Sequence, residues 1–417
     1  MTVPVEVSSA KNQTVTTWPG KLDFPARPAV HRPRATFLPF APPVIGDEEI
    51  AAVVDTLRSD WITTGPKTCQ FESAFAEYLG AMAALPLNSC TAGLHTALVA
   101  SEIGAGDEVI TTPMTFAASV NVIEHVGAVP VMVDVEPDTL NIDPVLVERA
   151  VSIRTRAILA VHYAGHPADL DRLRKIAWRH NLVLIEDAAH ALPAKYKGVS
   201  IGAGPNPVAF SFYATKNLTT AEGGMLTGED SFIAKARVIS LHGMSRDAWR
   251  RYAKGGSWRY DILTPGFKYN MTDIAAALGL CQLRKLDGFQ LRRRQIVKMY
   301  NQAFSECDAL ELPVERADVE HAWHLYVLRL RSERLAITRD QFIDEMTQRN
   351  IATSVHFIPI HLHPFYRDKY HLLPDRFPVA VDNYSRMLSL PLNAGMSDDD
   401  VLDVIDAVVN IVQVHQR

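Results

Sequence analysis

The 417-residue sequence has little cysteine: Cys69, Cys90, Cys281 and Cys307 stand far apart, with no C-x-x-C pair. Such spacing offers neither a disulfide framework nor a thiolate zinc site, and it fits a reducing, cytoplasmic setting. Net charge is nearly absent. Lys plus Arg number 42 against 47 Asp plus Glu, which argues against nucleic acid as the main partner, because phosphate binding rests on clustered basic residues. Long apolar runs are also missing. The longest uncharged stretch, Tyr78 to Ser101, has the length of a membrane span, but Pro86, Asn88, Ser89 and Thr91 interrupt it, so no transmembrane helix is expected. The first residues carry no basic region followed by an apolar block, so no secretory signal is expected. Internal repeats and low-complexity blocks are lacking as well.

What the chain does have is a hydrophobic fraction of 47%, enough to bury two cores or one large α/β core. Residues 1–45 hold eight prolines and no sustained periodicity, the pattern of an extended arm. From Asp47 apolar residues recur at helical spacing, and short apolar runs then alternate with amphipathic segments. The runs Ala84–Asn88, Glu108–Thr111, Val129–Val133, Arg156–His162, Leu182–Glu186, Val208–Tyr213 and Gly224–Thr227 predict seven strands. Ala92–Ser101, Phe116–Val126 and Leu170–His180 predict crossover helices. The fold class is therefore α/β, with a large, mostly parallel seven-stranded sheet covered on both faces over 46–290. A long helix from Thr272 to about Phe304 leads into a smaller α+β unit over 291–417, where HLYVLRL and IATSVHF read as strands. In such sheets ligands bind beyond the carboxyl ends of the strands.

Three segments there carry chemistry. Asn88 to His95, NSCTAGLH, passes from a strand end into a helix, where Thr91 and the amide of Ala92 can bind an anion; ordinary capping by Ser89 or Thr91 is the plainer reading. Val183 to Ala191, VLIEDAAHA, ends an apolar strand on Asp187, with His190 close behind. A buried carboxylate there needs a positive partner such as a protonated pyridine nitrogen, although a helix cap is the alternative. Ala209 to Leu226 delivers Lys216 from an apolar strand into a polar turn, with Ser211 on the strand. A desolvated lysine loses its proton easily and condenses with aldehydes. Phosphate, ring nitrogen and aldehyde are the three anchors of pyridoxal phosphate. Phe116 can stack on its ring or belong to the core.

From WITTGP at Trp61 through NSCTAGLH, GDEVITTPMTF, IEDAAHA, FSFYATKN, EGGML, KYNMTDI and HAWHLYVLRL, the sequence closely resembles the DegT-type sugar aminotransferases, pyridoxal-phosphate enzymes of fold type I. The likeness covers roughly residues 37 to 415. Within the family the chain is most similar to transaminases of UDP-linked 4-keto sugars, such as those making UDP-4-amino-4-deoxy-L-arabinose. The resemblance implies that Lys216 holds the cofactor, that Asp187 pairs with its ring nitrogen, and that His190 lies beside its 3-hydroxyl edge. It also implies that Thr91, Ala92 and Ser211 bind its phosphate. Asn270 matches an asparagine that reaches the cofactor phosphate of a neighbouring subunit, so a homodimer with shared sites is implied. His356 lies where relatives contact the nucleotide sugar. Glutamate is the implied donor. Alternatives are a transaminase of a free keto sugar, a keto-cyclitol or another small ketone, a sugar dehydratase, and a non-catalytic regulator. Dehydratases of this fold carry His at the lysine position, and regulators carry an appended DNA-binding module, which the short arm does not resemble.

Other signals have plainer readings. The basic residues of 246–260 (Arg246, Arg250, Arg251, Lys254 and Arg259) form a solvated loop or meet a diphosphate. His356, His361, His363 and His371 lack the partners of a metal site, and none is expected. Arg292 to Arg294 read as a solvated or dimer-facing surface. Lys195 and Lys197 read as surface lysines.

Overall fold

A computed structural model describes residues 34–245 and 260–417. Most of the Pro-rich arm and the basic residues Arg246 to Arg259 lie outside the described residues. The large sheet contains β1 (Ala83–Leu87), β2 (Glu108–Thr111), β3 (Val129–Met132), β4 (Thr155–Val161) and β5 (Val183–Asp187). After a two-strand excursion, β6 (Lys195–Tyr196) and β7 (Val199–Ser200), it is completed by β8 (Val208–Ser211) and β9 (Gly224–Gly228). Their spatial order is β1-β9-β8-β5-β4-β2-β3. β9 alone runs against its neighbours, because it returns from β8 as a hairpin, whereas the parallel strands are joined by crossovers, helical except between β5 and β8, where the β6–β7 excursion makes the connection.

Period-2 alternation explains the layers. In β4, Ile158 and Ala160 join one core while Ala157, Leu159 and Val161 join the other. Both sheet faces are thus buried, and the strands read as continuous apolar runs. One core takes Phe71, Phe75 and Leu79 of α2 (Pro66–Leu79), which follows α1 (Asp47–Arg58). The other takes Leu94 and Leu98 of α3 (Cys90–Ala100) and Val122 and Ile123 of α4 (Ala117–His125). Phe71, Phe75, Phe210 and Phe212 meet edge to face at 5.3–6.0 Å, and each buried ring stabilises the core by roughly 1.5–3 kcal/mol. The remaining crossovers are α5 (Pro144–Ala150) and α6 (Leu170–His180), and α7 (Asp230–Ser240) follows β9.

Thr272 caps α8 (Asp273–Phe304), accepting from the Ala275 amide. This helix runs unbroken through residue 290 and serves two cores. Ala276, Leu283 and Leu286 pack under the large sheet, while Ile296, Val297, Tyr300 and Phe304 pack in the C-terminal unit. That unit has a three-stranded sheet, β10 (Leu310–Glu311), β12 (Tyr326–Leu330) and β13 (Met387–Leu390), with β12 central. α9 (Arg339–Gln348), α10 (Pro364–Tyr370), α11 (Pro378–Arg386) and α12 (Asp398–His415) complete it, and β11 (Val319–Glu320) reaches back to pair with β6. The strand expected at IATSVHF is reduced to isolated bridges, Ile351 with Leu38 and Ser354 with Ser389.

One reading of charge changes. Arg293 is buried, not solvated, and its guanidinium donates to the carbonyls of Trp323, His324 and Leu392. Lys195 and Lys197 do sit at the surface, paired with Glu320 and Asp171. Among the described residues no helix is long and apolar enough to cross a membrane.

Candidate active site

The carboxyl ends of β1, β2, β4, β5 and β8 converge on a cavity of about 340 Å³, lined among others by Ser89, Thr91, Phe116, Asp187, His190, Ser211, Lys216, His324 and His356. This is the volume of a small-molecule site. At one end β1 runs into α3, whose cap is Ser89: its Oγ accepts from the Ala92 amide at 3.1 Å. That bond engages Ala92 within the helix. The Cys90 and Thr91 amides, which have no backbone acceptor among the described residues, are left at the positive end of the helix dipole. Gly224 makes the approach possible. A Cβ there would lie 2.4 Å from the carbonyl carbon of Ser89 and 2.5 Å from the Cys90 nitrogen, so the return strand touches the helix start only with glycine.

Asp187 closes β5 with its carboxylate buried at 5% exposure. Oδ2 accepts from Ser119 Oγ at 2.7 Å, and Oδ1 accepts from the Ala189 amide at 3.0 Å. Ser119 is itself 2.7 Å from Thr115 Oγ1. With its hydrogen committed to the carboxylate, Ser119 accepts from Thr115, and a chain of neutral donors ends on Asp187. Among the described residues it makes no ion pair, leaving a buried anion suited to a cationic ligand atom. Glu186, the other carboxylate of the motif, turns away to His162 and Asn206.

Lys216 follows the turn after β8, its amide donating to Tyr213 O. Its Nζ has no hydrogen-bonding partner among the described residues. Burial lowers its pKa to about 8, against the raising influence of Cys90 and Asp187, so a useful share of free amine exists near neutrality. Three imidazoles share the cavity. His190, His324 and His356 are all held neutral, chiefly by burial and further by the Lys216 charge. His190 stacks on Phe357 at 5.7 Å and lies 4.4 Å from His324; its buried Nδ1 has no partner. Phe116, the residue before α4, is 63% exposed and lines the cavity, so it is free to stack and does not belong to the core.

The structure therefore brings Thr91, Phe116, Asp187, His190, Ser211, Lys216 and His356 to one cavity. Asn270 stands apart. It bridges to Leu87 and donates to Thr64 Oγ1 at 2.6 Å. Sequence reasoning missed Ser119, Cys90, Tyr213, Glu222, His324 and Phe357, which line or support the cavity. Cys90, Tyr213, Glu222 and His324 stand inside the motifs NSCTAGLH, FSFYATKN, EGGML and HAWHLYVLRL, which were the visible signal for them. An unpaired lysine amine, open helix amides, a buried anion and an orphaned imidazole nitrogen fit the aldehyde, phosphate, ring nitrogen and hydroxyl of pyridoxal phosphate. Among the described residues no group of three or more His, Cys, Asp or Glu is placed to hold a metal ion.

These features define a fold-type I, pyridoxal-phosphate-dependent transferase. Residues 43–409 match the DegT/DnrJ/EryC1/StrS aminotransferase family, and the chain belongs to that family of sugar aminotransferases. It is 50% identical over 382 residues to the spore coat polysaccharide biosynthesis protein SpsC of Bacillus subtilis, covering 91% of this chain and 98% of SpsC. The putative sugar aminotransferase Spr1654 of Streptococcus pneumoniae, solved in PLP and PMP forms, superposes with TM-scores of 0.84 and 0.85 at 37% identity. The alignment covers 91% and 90% of this chain and 99% of Spr1654 in both forms. Helicobacter pylori PseC, an aminotransferase involved in pseudoaminic acid biosynthesis, superposes at 0.84 with 27% identity, over 91% of this chain and all of PseC.

Proposed function

We propose that this sugar aminotransferase moves an amino group from L-glutamate to a nucleotide-linked 4-keto sugar, a UDP-linked one first, as a cytoplasmic homodimer. The observation that carries the reading is the unpaired Lys216 amine in one cavity with the open amides of α3 and the buried Asp187 carboxylate. When bound, pyridoxal phosphate supplies an aldehyde that takes up the amino group and a ring that accepts the electrons released at the donor's α-carbon. The Lys216 amine would hold the aldehyde carbon and, once free, would carry the proton that leaves the donor's α-carbon. Asp187 keeps a proton on the ring nitrogen. The α3 amides, Thr91 and Ser211 bind the phosphate, His190 meets the 3-hydroxyl edge, and Phe116 covers the ring. His356 contacts the sugar nucleotide.

Asn270 is not among the residues that line its own chain's cavity, which suits a part in phosphate binding at a second copy. SpsC and PseC, named for polysaccharide and pseudoaminic acid biosynthesis, support a sugar destined for a glycan. The test is spectroscopic. Glutamate added to the yellow holoenzyme should bleach its visible absorbance, and keto sugars linked to UDP, dTDP or GDP should restore it selectively. A spectrum unmoved by glutamate excludes the donor, and restoration only by free sugars or cyclitols excludes the nucleotide.

A further inference from the structure

One imidazole in the cavity is held more firmly than packing requires. His324 Nδ1 lies 3.2 Å from Asn217 Oδ1. The Asn217 amide cannot flip, because Nδ2 donates to the carbonyls of Leu192 and Ala322, both at 2.9 Å. Oδ1 is therefore an acceptor and His324 Nδ1 carries the hydrogen, so in the neutral ring Nε2 presents a bare lone pair. Buried Arg293 grips the carbonyls of Trp323 and His324 at 3.2 and 3.4 Å and that of Leu392 at 2.8 Å. Four chain segments thus fix one ring. The groups facing it are His190, Lys216, Arg293 and His356, each cationic or able to become so, and they reinforce burial in keeping it neutral. His324 lines the cavity, and its Nε2 has no hydrogen-bonding partner among the described residues. An acceptor fixed in one tautomer and left open awaits a donor from a ligand. His324 and Lys216 line the same cavity, so that donor is sought on the molecule that Lys216 acts on.

We propose that His324 Nε2 accepts a hydrogen bond from the sugar hydroxyl on the carbon next to the ketone, which makes His324 a specificity-determining residue of the acceptor half-reaction. The inference rests on the keto-sugar reading above. A neutral acceptor rejects substrates lacking the hydroxyl because its lone pair is then buried unpaired, a discrimination on the order of 10- to 100-fold.

The experiment uses full-length enzyme loaded directly with pyridoxamine phosphate, so it does not depend on the donor. The probes are the UDP-, dTDP- or GDP-linked 4-keto sugar that restores the visible absorbance and its analogue deoxygenated next to the ketone. Wild type should favour the hydroxylated sugar about 10- to 100-fold in kcat/KM. His324→Phe should lose that preference by falling on the parent sugar alone, and His324→Gln, which keeps an acceptor, should recover part of it. Equal use of both sugars by wild type overturns the proposal, even without a folded variant. So does an equal fall on both sugars in His324→Phe, which marks a structural role. Failure of every keto sugar would instead overturn the functional reading, and the inference with it.

Discussion

Ser119 Oγ stands 2.7 Å from Asp187 Oδ2, and the serine is completely buried. The serine hydroxyl has one hydrogen, and giving it to the carboxylate fixes that side chain where a ring nitrogen can reach the oxygen's other lone pair. A hydrogen bond to a charged group contributes about 1.5–3 kcal/mol. Ser119→Ala should therefore lower kcat by roughly 10- to 100-fold and weaken cofactor retention, while Ser119→Thr should restore both. The check is kcat with a cofactor-release titration. Unchanged values in Ser119→Ala would remove Ser119 from the site.

Lys216 gives a pH prediction. Its folded pKa of about 8 lies below the ordinary 10.5 because burial penalises the ammonium. Only the free amine condenses with an aldehyde. Capture of pyridoxal phosphate by the apoprotein should rise with pH and reach half its plateau near 8, as followed by rapid-mixing absorbance. Between about 8 and 10.5 the unfolded chain binds more protons than the folded one, so apoprotein stability should also rise across that window. Lys216→Met should flatten that rise and abolish the visible absorbance.

All seven strands of the large sheet were legible in the sequence to within one or two residues, because burial on both faces writes each as an apolar run. The two-residue strands Lys195–Tyr196, Val199–Ser200 and Val319–Glu320 are too short to show a period. IATSVHF has strand composition but pairs at single residues, with Pro359 close behind. In the site, Asp187 and Lys216 stood out because charge after an apolar strand is costly. Ser119 did not. It lies 68 residues from Asp187, and a serine on an amphipathic helix carries no local sign of its partner. Arg293 was misread because three successive arginines resemble a surface, whereas the partners that bury it are carbonyls of distant loops.

Gly224 gives a test of packing. A methyl group there would meet the Ser89–Cys90 peptide at 2.4–2.6 Å, closer than any relaxed contact, and the atoms it meets are backbone. Gly224→Ala must push β9 away from the start of α3. The expected cost is about 1–3 kcal/mol of stability or more, together with a weaker hold on the cofactor phosphate. Thermal unfolding of the apoprotein reads the first and a pyridoxal-phosphate titration the second. Unchanged values in both would show that the strand and helix are less tightly fitted than their geometry implies.

His361 lies in the short helical turn Ile360–Leu362 and is not among the residues lining the cavity. Its side chain is fully buried against the Phe377 ring, 4.4 Å between centroids, and neither ring nitrogen has a partner. Burial lowers its pKa to about 4 from 6.5. Below pH 6.5 the unfolded chain takes up a proton that the folded chain refuses, so stability falls as the pH drops from about 6.5 towards 4. His361→Leu removes that proton uptake and the two unpaired polar atoms while keeping an apolar side chain. The variant should gain stability relative to wild type at pH 5, with a smaller difference at pH 8, measured by thermal unfolding across that range. Parallel pH curves for the two proteins would show that His361 finds a proton acceptor in solution.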